Sequence, residues 1–270
     1  MSKKTTFQNP DLESNSIEVL SKKLLQVTSD LSVKNAQLAE SEKKRKEMVA
    51  NISHDLRAPI TAIRSALDLL NSFDKLSEKD VKDAIGLINR RVSTLESLIQ
   101  DMYFLFCVED DNRTFDIEEV ALAPFLESYF YDAIVDSRYD DHDMQLDVPM
   151  DLQCNVRIDI QKTIRVLDNL FTNAAKYSGE GTSITLSCRL EDNHAVITVS
   201  DNGVGIPGEA LDKIFDRTYT VSSSRSPASQ SGSGLGLAIV KAVLAKEGGS
   251  VRCESEINEG SRFIIDLPCV

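Results

Sequence analysis

The sequence contains no run approaching the roughly 18 consecutive apolar residues that cross a bilayer, and its start, MSKKTTFQNP, lacks the apolar stretch of a secretory signal. The chain as it stands is expected in the cytoplasm. Paired cysteines are missing as well. Five cysteines (Cys107, Cys154, Cys188, Cys253, Cys269) are scattered along 270 residues with no CxxC and no histidines at zinc-finger spacing, which indicates neither a disulfide framework nor a zinc site. Basic charge is scarce: 30 Lys and Arg against 43 Asp and Glu leave a net charge of -13. That sign opposes attraction to nucleic-acid phosphates or an anionic membrane, and no local basic patch offsets it.

What is present is enough apolar material, 41% of residues, for two modest domains or one large one, each with its own core. From Ile17 the apolar positions fall at Leu20, Leu24, Val27 and Leu31, resume at Leu38, and end at Met48 and Ile52. Steps of three and four over about five heptads without Gly or Pro are the seam of a left-handed coiled coil. Lys34, Ser41 and Arg45 interrupt it. A single amphipathic helix lying on a core is the simpler alternative; the length favours a helix that pairs with another chain.

The stripe continues through Leu56, Ile60, Ile63, Leu67 and Leu70, with a kink expected at Pro59. After a turn around Asn71 to Leu76, Ser77-Glu-Lys-Asp80 reads as a helix-start box, and Val81, Ile85, Ile88, Val92, Leu95, Ile99, Met102 and Leu105 form a second stripe. A hairpin of two long helices has too little core alone, so two copies forming a four-helix bundle is the economical solution.

Beyond Glu109-Asp-Asp-Asn112 the elements shorten and mix. Alternation and periodicity predict strands at 115–120, 144–148, 153–158, 183–190, 195–200, 250–254 and 262–267, and helices at 124–137, 160–177 and 235–246. The fold class is α+β: a coiled-coil helix over 1–43, a helical hairpin over 44–110, and a layered helix-and-sheet domain over 111–270.

Four segments can carry chemistry. In the helix after Asp159, Ile160, Ile164, Leu167 and Phe171 share one face; Asn169, Asn173 and Lys176 share the other. That second face reads as a solvated surface or as one turned to a nucleotide, where an amide oxygen helps hold hydrated Mg²⁺ and Lys176 neutralises phosphate. Asp201-Asn-Gly203-Val-Gly205-Ile206-Pro207 describes many tight turns; functionally, the Asp201 carboxylate can accept from an adenine amino group while the glycines admit the ring. Gly232-Ser-Gly234-Leu235-Gly236-Leu237 stands at the mouth of a helix, where backbone N–H groups can cradle phosphates. Between the two lies the serine-rich stretch Thr218 to Ser231, a lid or a disordered loop, with Phe215 before it as an anchor. Finally, His54 falls between seam residues Ile52 and Leu56, off the seam, where solvent access would suit a phosphoacceptor. His142, in the acidic run Asp140 to Asp143, reads as solvated surface, and His194 falls in a hairpin turn.

In this order the segments resemble the sensor histidine kinase family. Ser53-His54-Asp55-Leu56-Arg57 is similar to its phosphoacceptor box, and Asn169-Leu-Phe-Thr-Asn173-Ala-Ala-Lys176-Tyr177 to its N box. Asp201 to Gly205 is similar to the first glycine box, Ile214-Phe215 to the F box, and Gly232 to Leu237 to the second glycine box. Each motif is loose alone; five in order, from about Lys44 to the end, are specific. The resemblance implies a homodimer built on the hairpin and coiled coil, a Bergerat-type ATP-binding sandwich, and a response regulator that takes the phosphoryl group on an aspartate.

It further implies His54 as phosphoacceptor with Asp55 as orienting base. Asn173 would be the Mg²⁺ ligand, and Asn169, Lys176 and Tyr177 would line the ATP site. Asp201, with Gly203, Gly205 and Ile206, would meet adenine, and Gly234, Leu235, Gly236 and Leu237 would support the phosphates. Ala58 departs from the family pattern of Thr or Asn four residues after the histidine, which implies weak phosphatase activity, and Thr218 and Thr220 replace an aromatic and a basic residue. The rival readings are a nucleotide-binding scaffold that transfers no phosphate, and an ATPase clamp that uses water as acceptor. With no sensor module in the first 50 residues, the chain is expected to be a fragment cut after the last membrane helix of a receptor, or to receive its input through the coiled coil.

Overall fold

A computed structural model describes residues 10–72, 77–110, 113–149, 151–217, 219 and 234–270. The lid stretch expected over 218–231 (Tyr219 apart), Gly232, and most of the hairpin turn lie outside the described residues. The chain divides into two units, Met1–Ser53 and His54–Val270. Helix α1 (Pro10–Ser72) enters both. In the first unit the seam positions Leu24, Val27, Leu31 and Leu38 stay 56–64% exposed. Side chains this apolar, repeated at heptad spacing, are bare among the described residues and suit a partner helix.

In the second unit α1 passes through Pro59 to Ser72. Pro59 has no N–H for the carbonyl of Asp55, so the helical ladder loses a rung one turn from His54. Helix α2 (Glu78–Glu109) starts where the sequence places it, because Ser77 and Asp80 cap each other: the Asp80 N–H donates to Ser77 Oγ and the Ser77 N–H to the Asp80 carboxylate, both at 3.2 Å. Ile60 and Leu67 on α1, and Ile85, Val92 and Ile99 on α2, are 40–52% exposed, so the hairpin also keeps an open apolar face.

The last turns of α2 are different. Leu105 and Val108 are 1% exposed and pack towards the helix Gly236–Lys246 of the sheet domain, while Asp101 pairs with Arg165 and Glu109 with Arg217.

That domain comprises β1 (Glu118–Ala121), α3 (Leu122–Ile134), β2 (Asp143–Asp147), β3 (Asn155–Ile158), α4 (Ile160–Ser178), β4 (Ser183–Glu191), β5 (His194–Asp201), α5 (Gly208–Leu211), α6 (Gly236–Lys246), β6 (Ser250–Glu256) and β7 (Gly260–Pro268). The main sheet runs β2-β4-β5-β7-β6, with β2 parallel to β4 and the other pairs antiparallel; β1 and β3 form a small antiparallel pair. The register aligns Leu186, Val199, Phe263 and Cys253 across the sheet, and Ile197, Ile265 and Val251 beside them, on one face. This face meets Val166, Leu167, Leu170 and Phe171 of α4 and Ile239, Val240 and Val243 of α6, all buried. Arg189, Ser200, Arg252 and Arg262 alternate onto the other face. Phe171 takes the ring edges of Tyr129 and Tyr139 at 5.2 and 6.0 Å, contacts of about 0.5–1.5 kcal/mol each beyond their burial.

Three details correct the sequence reading. Cys154 and Cys269 form a disulfide across 115 residues, because β3 and the end of β7 run side by side through the Val156–Cys269 bridge, a proximity no spacing reveals. His142 is half-buried, with Nε2 3.2 Å from the Ala175 carbonyl at the end of α4. His194 opens β5 instead of lying in the turn; Asp192 and Asn193 take the positive φ angles of the two-residue hairpin loop, and His194 Nδ1 meets Asp266 at 2.6 Å.

Candidate functional site

Helix α4 is capped by Asp159, whose Oδ1 accepts from the Lys162 N–H at 3.2 Å. Its buried stripe is Thr163, Val166, Leu167, Leu170, Phe171 and Ala174, which leaves Asn169, Asn173, Lys176 and Tyr177 half-buried on its other side. Half-burial separates this face from ordinary solvated surface: it borders other elements. Asn169 Nδ2 donates to the Arg165 carbonyl at 2.9 Å, and its Oδ1 lies where a Cβ on Gly236 would come within 2.9 Å. The start of α6 therefore sits against the amide of Asn169. Leu235, 1% exposed, anchors that start and accepts the Ile239 N–H at 2.9 Å; Gly234 precedes it at φ +64°, and Leu237 is half-buried.

At the other end of α4, Lys176 Nζ lies 3.1 Å from the Tyr177 hydroxyl and over its ring. The Val204 N–H donates to the Tyr177 carbonyl at 3.1 Å, and a Cβ on Gly203 would stand 2.5 Å from the same oxygen. Gly205 has φ +70°, and a Cβ there would fall 2.0 Å from the Glu256 carbonyl, so this turn admits only glycine. Asp201 ends β5 on the helix-covered face, with its Oδ1 accepting from the Gly203 N–H at 2.9 Å. Burial pushes the Asp201 carboxyl above the usual range, and the Gly203 and Ser261 N–H groups pull it back.

The structure thus sets the start of α6 against Asn169 and the Asp201 turn against Tyr177, both along the face of α4 that also carries Asn173 and Lys176. His54 and Asp55 are carried instead by α1 in the hairpin; Asp55 is half-buried, and the His54 side chain lies outside the described residues. Phe215 is half-buried, and the deeper anchor is its neighbour Ile214, 5% exposed. Thr218 and Thr220 lie outside the described residues. Sequence reasoning missed Ser255 and Ser261, which antiparallel register sets beside Asp201, and the buried pair Asp159 and Glu247. The Gly260-Ser261 turn was the only local signal for the former; nothing local marked Glu247.

Residues 44–110 match the His Kinase A (phospho-acceptor) domain, and residues 158–270 match the Histidine kinase-, DNA gyrase B-, and HSP90-like ATPase family. The sensor histidine kinase YcbM of Bacillus subtilis (strain 168) is 30% identical over 236 residues, 86% of this chain and 74% of that protein. The sensor histidine kinase WalK of the same organism is 31% identical over 84% of this chain, and the sensor protein SrrB of Staphylococcus aureus 27% over 83%; the chain spans only 37% and 38% of their lengths. Two solved structures share the fold: the histidine kinase ThkA in complex with response regulator protein TrrA (TM-score 0.68, 23% identity, 87% of this chain and 66% of that one), and the Acinetobacter baumannii histidine kinase AdeS (0.60, 24%, 80% and 97%). Among the described residues no helix is long and apolar enough to cross a membrane.

Proposed function

Since the chain belongs to the sensor histidine kinases of two-component systems and is a protein histidine kinase that uses ATP, we propose that His54 is its phosphoacceptor and that the α4–β5–α6 cluster is its ATP site. The observation that carries the reading is that two separate segments lie on the amide face of α4: the Asp201 turn pinned to Tyr177, and the α6 start pressed on Asn169.

Each residue has a chemical task there. The half-buried Asp201 carboxylate accepts from the adenine amino group; Gly203 and Gly205 leave room for the ring; and Ile206 lines its edge. The N–H groups around Gly234 to Leu237 at the mouth of α6, and Lys176, meet phosphate oxygens. Asn173, half-buried and one turn beyond Asn169, offers a neutral amide oxygen fit for a hydrated Mg²⁺. When bound, that ion neutralises phosphate charge.

Asn169 and Tyr177 hold the two ends of the α4 face against α6 and the Asp201 turn. One ring nitrogen of His54 attacks the γ-phosphorus in line. The N–P bond forms as the bond to the β–γ bridging oxygen breaks, ADP leaves, and the ring proton passes towards Asp55. Neighbours on a helix diverge by about 100°, so Asp55 acts by side-chain reach, eased by the ladder rung missing at Pro59.

The exposed apolar face of the hairpin and the bare seam of the first unit favour a homodimer through both. An aspartate of a response regulator then takes the phosphoryl group, in keeping with the ThkA–TrrA complex. Ala58, exposed on α1, presents a methyl where a water-orienting polar group would serve dephosphorylation, so phosphatase activity is weak. The test is Mg²⁺-ATP binding by the purified chain beside Asp201→Ala and Asn173→Ala. Loss of nucleotide binding in the first, and of the Mg²⁺-dependent part in the second, is expected; undiminished binding in both would reject the site.

A further inference from the structure

The Cys154–Cys269 bond stands where several elements meet. The Leu122 N–H at the start of α3 donates to the Cys154 carbonyl at 3.0 Å, the Cys269 N–H to the Asn193 carbonyl in the β4–β5 loop at 3.0 Å, and the Val270 N–H to the Asn155 carbonyl of β3 at 2.9 Å. These backbone bonds hold both cysteines in place whether or not their sulfurs are joined. Access to the two residues differs: Cys154 is 7% exposed, whereas Cys269 is only half-buried. The free cysteines are Cys107, Cys188 and Cys253. Burial pushes the Cys188 thiol up to about 11 and the Cys253 thiol up to about 12, which keeps both protonated and unreactive. An enzyme that uses ATP works in the compartment that holds the ATP pool. There, small thiols and dithiol proteins keep ordinary cysteines reduced, so a disulfide in that setting exists in exchange with the pool.

We propose that Cys154–Cys269 is a site of reversible thiol–disulfide exchange whose substrate is the low-molecular-weight thiol and disulfide couple of the cell, entering at Cys269. An incoming thiolate attacks the Cys269 sulfur; the new S–S bond forms as the Cys154–Cys269 bond breaks, and Cys154 leaves as a thiolate and takes a proton. A second small thiolate attacks the small thiol's sulfur in this mixed disulfide. Cys269 then leaves as a thiolate and takes a proton, and the small disulfide departs. Two electrons pass from two small thiols to the protein, and the reverse sequence closes the bond. Closure is intramolecular, because the backbone bonds keep the two thiols adjacent. β3 runs straight into Asp159, the cap of α4, so the state of the bond reaches the base of the helix that carries Asn169 and Asn173.

The experiment equilibrates the purified full chain, without oxygen, in mixtures of reduced and oxidised glutathione, quenches in acid, alkylates the thiols and weighs the cysteine peptides by mass spectrometry. Cys154 and Cys269 are expected to pass together from disulfide to thiol within the range of mixtures and to return when the mixture is reversed, while Cys188 and Cys253 stay thiols throughout. Opening lowers the melting temperature by roughly 5–15 °C and speeds hydrogen exchange of the β3 amides about tenfold or more, with Ile197 and Val199 in the central strand unchanged. The entry point is read from the serine variants in oxidised glutathione: Cys154→Ser should gain one glutathione at Cys269 about tenfold faster than Cys269→Ser gains one at Cys154. A bond that stays closed in the most reducing mixture, or thiols that stay open in the most oxidising one, would overturn the proposal. Equal or faster modification of Cys154 would overturn the entry at Cys269. The titration of the unmodified chain decides the exchange itself even where a serine variant fails to fold.

Discussion

Glu247, at the end of α6, is 7% exposed and joins α6 to the start of α4: its Oε1 accepts from the Asp159 N–H at 3.0 Å and from Thr163 Oγ1 at 2.9 Å. Its Oε2 is buried without a hydrogen-bond partner among the described residues. Burial, helped by the Asp159 carboxylate and opposed by the two hydrogen bonds and Lys162, pushes the Glu247 carboxyl from an ordinary 4.5 up to about 7. The folded state therefore keeps a proton that the unfolded state has released. The contribution is fully present below pH 4.5 and is lost as the pH rises through about 7. Between pH 5.5 and 8.5 about 1.5 pH units of that interval are traversed, at about 1.4 kcal/mol each, or about 2 kcal/mol.

Glu247→Gln keeps the Oε1 acceptor and has no proton to lose. Thermal melts of both proteins at pH 5.5 and 8.5, above the isoelectric point of about 4.8, should show the glutamine variant gaining on the native chain by roughly 4–8 °C at the higher pH. Parallel pH profiles would refute the argument.

Three further outcomes follow from the geometry. Gly205→Ala combines a positive φ with a Cβ placed 2.0 Å from the Glu256 carbonyl, so nucleotide affinity should fall at least tenfold in titrations while far-ultraviolet circular dichroism stays native. Asp101→Asn breaks the pair with Arg165 and leaves that guanidinium poorly matched at the contact between α2 and the sheet domain; a loss of about 1–3 kcal/mol in urea unfolding is expected, and none if the pair is idle. Reducing the Cys154–Cys269 bond frees a 115-residue loop and should lower stability by about 2–4 kcal/mol. Thiol counting should rise from the three free cysteines Cys107, Cys188 and Cys253 to five, and melts that ignore reductant would contradict this.

Local chemistry made much of the fold legible. Ser77 and Asp80 cap each other within one turn, and the strand signal at 195–200 and the helix signal at 160–177 differ from β5 and α4 by a residue at their ends, because alternation and the 3.6-residue period are written into short windows. Helix α5, with four residues, is too short to carry a period, and the sequence reading passed over it.

What pairing in space decides was hidden. Ser255 meets Ser261, and Ser261 faces Asp201, only through the register of β6, β7 and β5, and Cys154 meets Cys269 only because β3 lies beside the end of β7. For the site, the motifs named Asn169, Asp201 and Gly236 but not their relations; that Gly236 abuts the Asn169 amide, and that Gly203 lies under the Tyr177 carbonyl, needed the tertiary fold. Asp159 and Glu247 form a buried acidic pair that no motif announces, since each resembles an ordinary helix-end residue in sequence.

The central claim, that this chain phosphorylates itself on His54, is tested most directly by incubating the purified chain and its His54→Gln variant with γ-labelled ATP and Mg²⁺. Acid-labile, alkali-stable label on the native chain and none on the variant is the predicted result; label that survives the substitution, or a native chain that binds ATP and acquires no label, would contradict it.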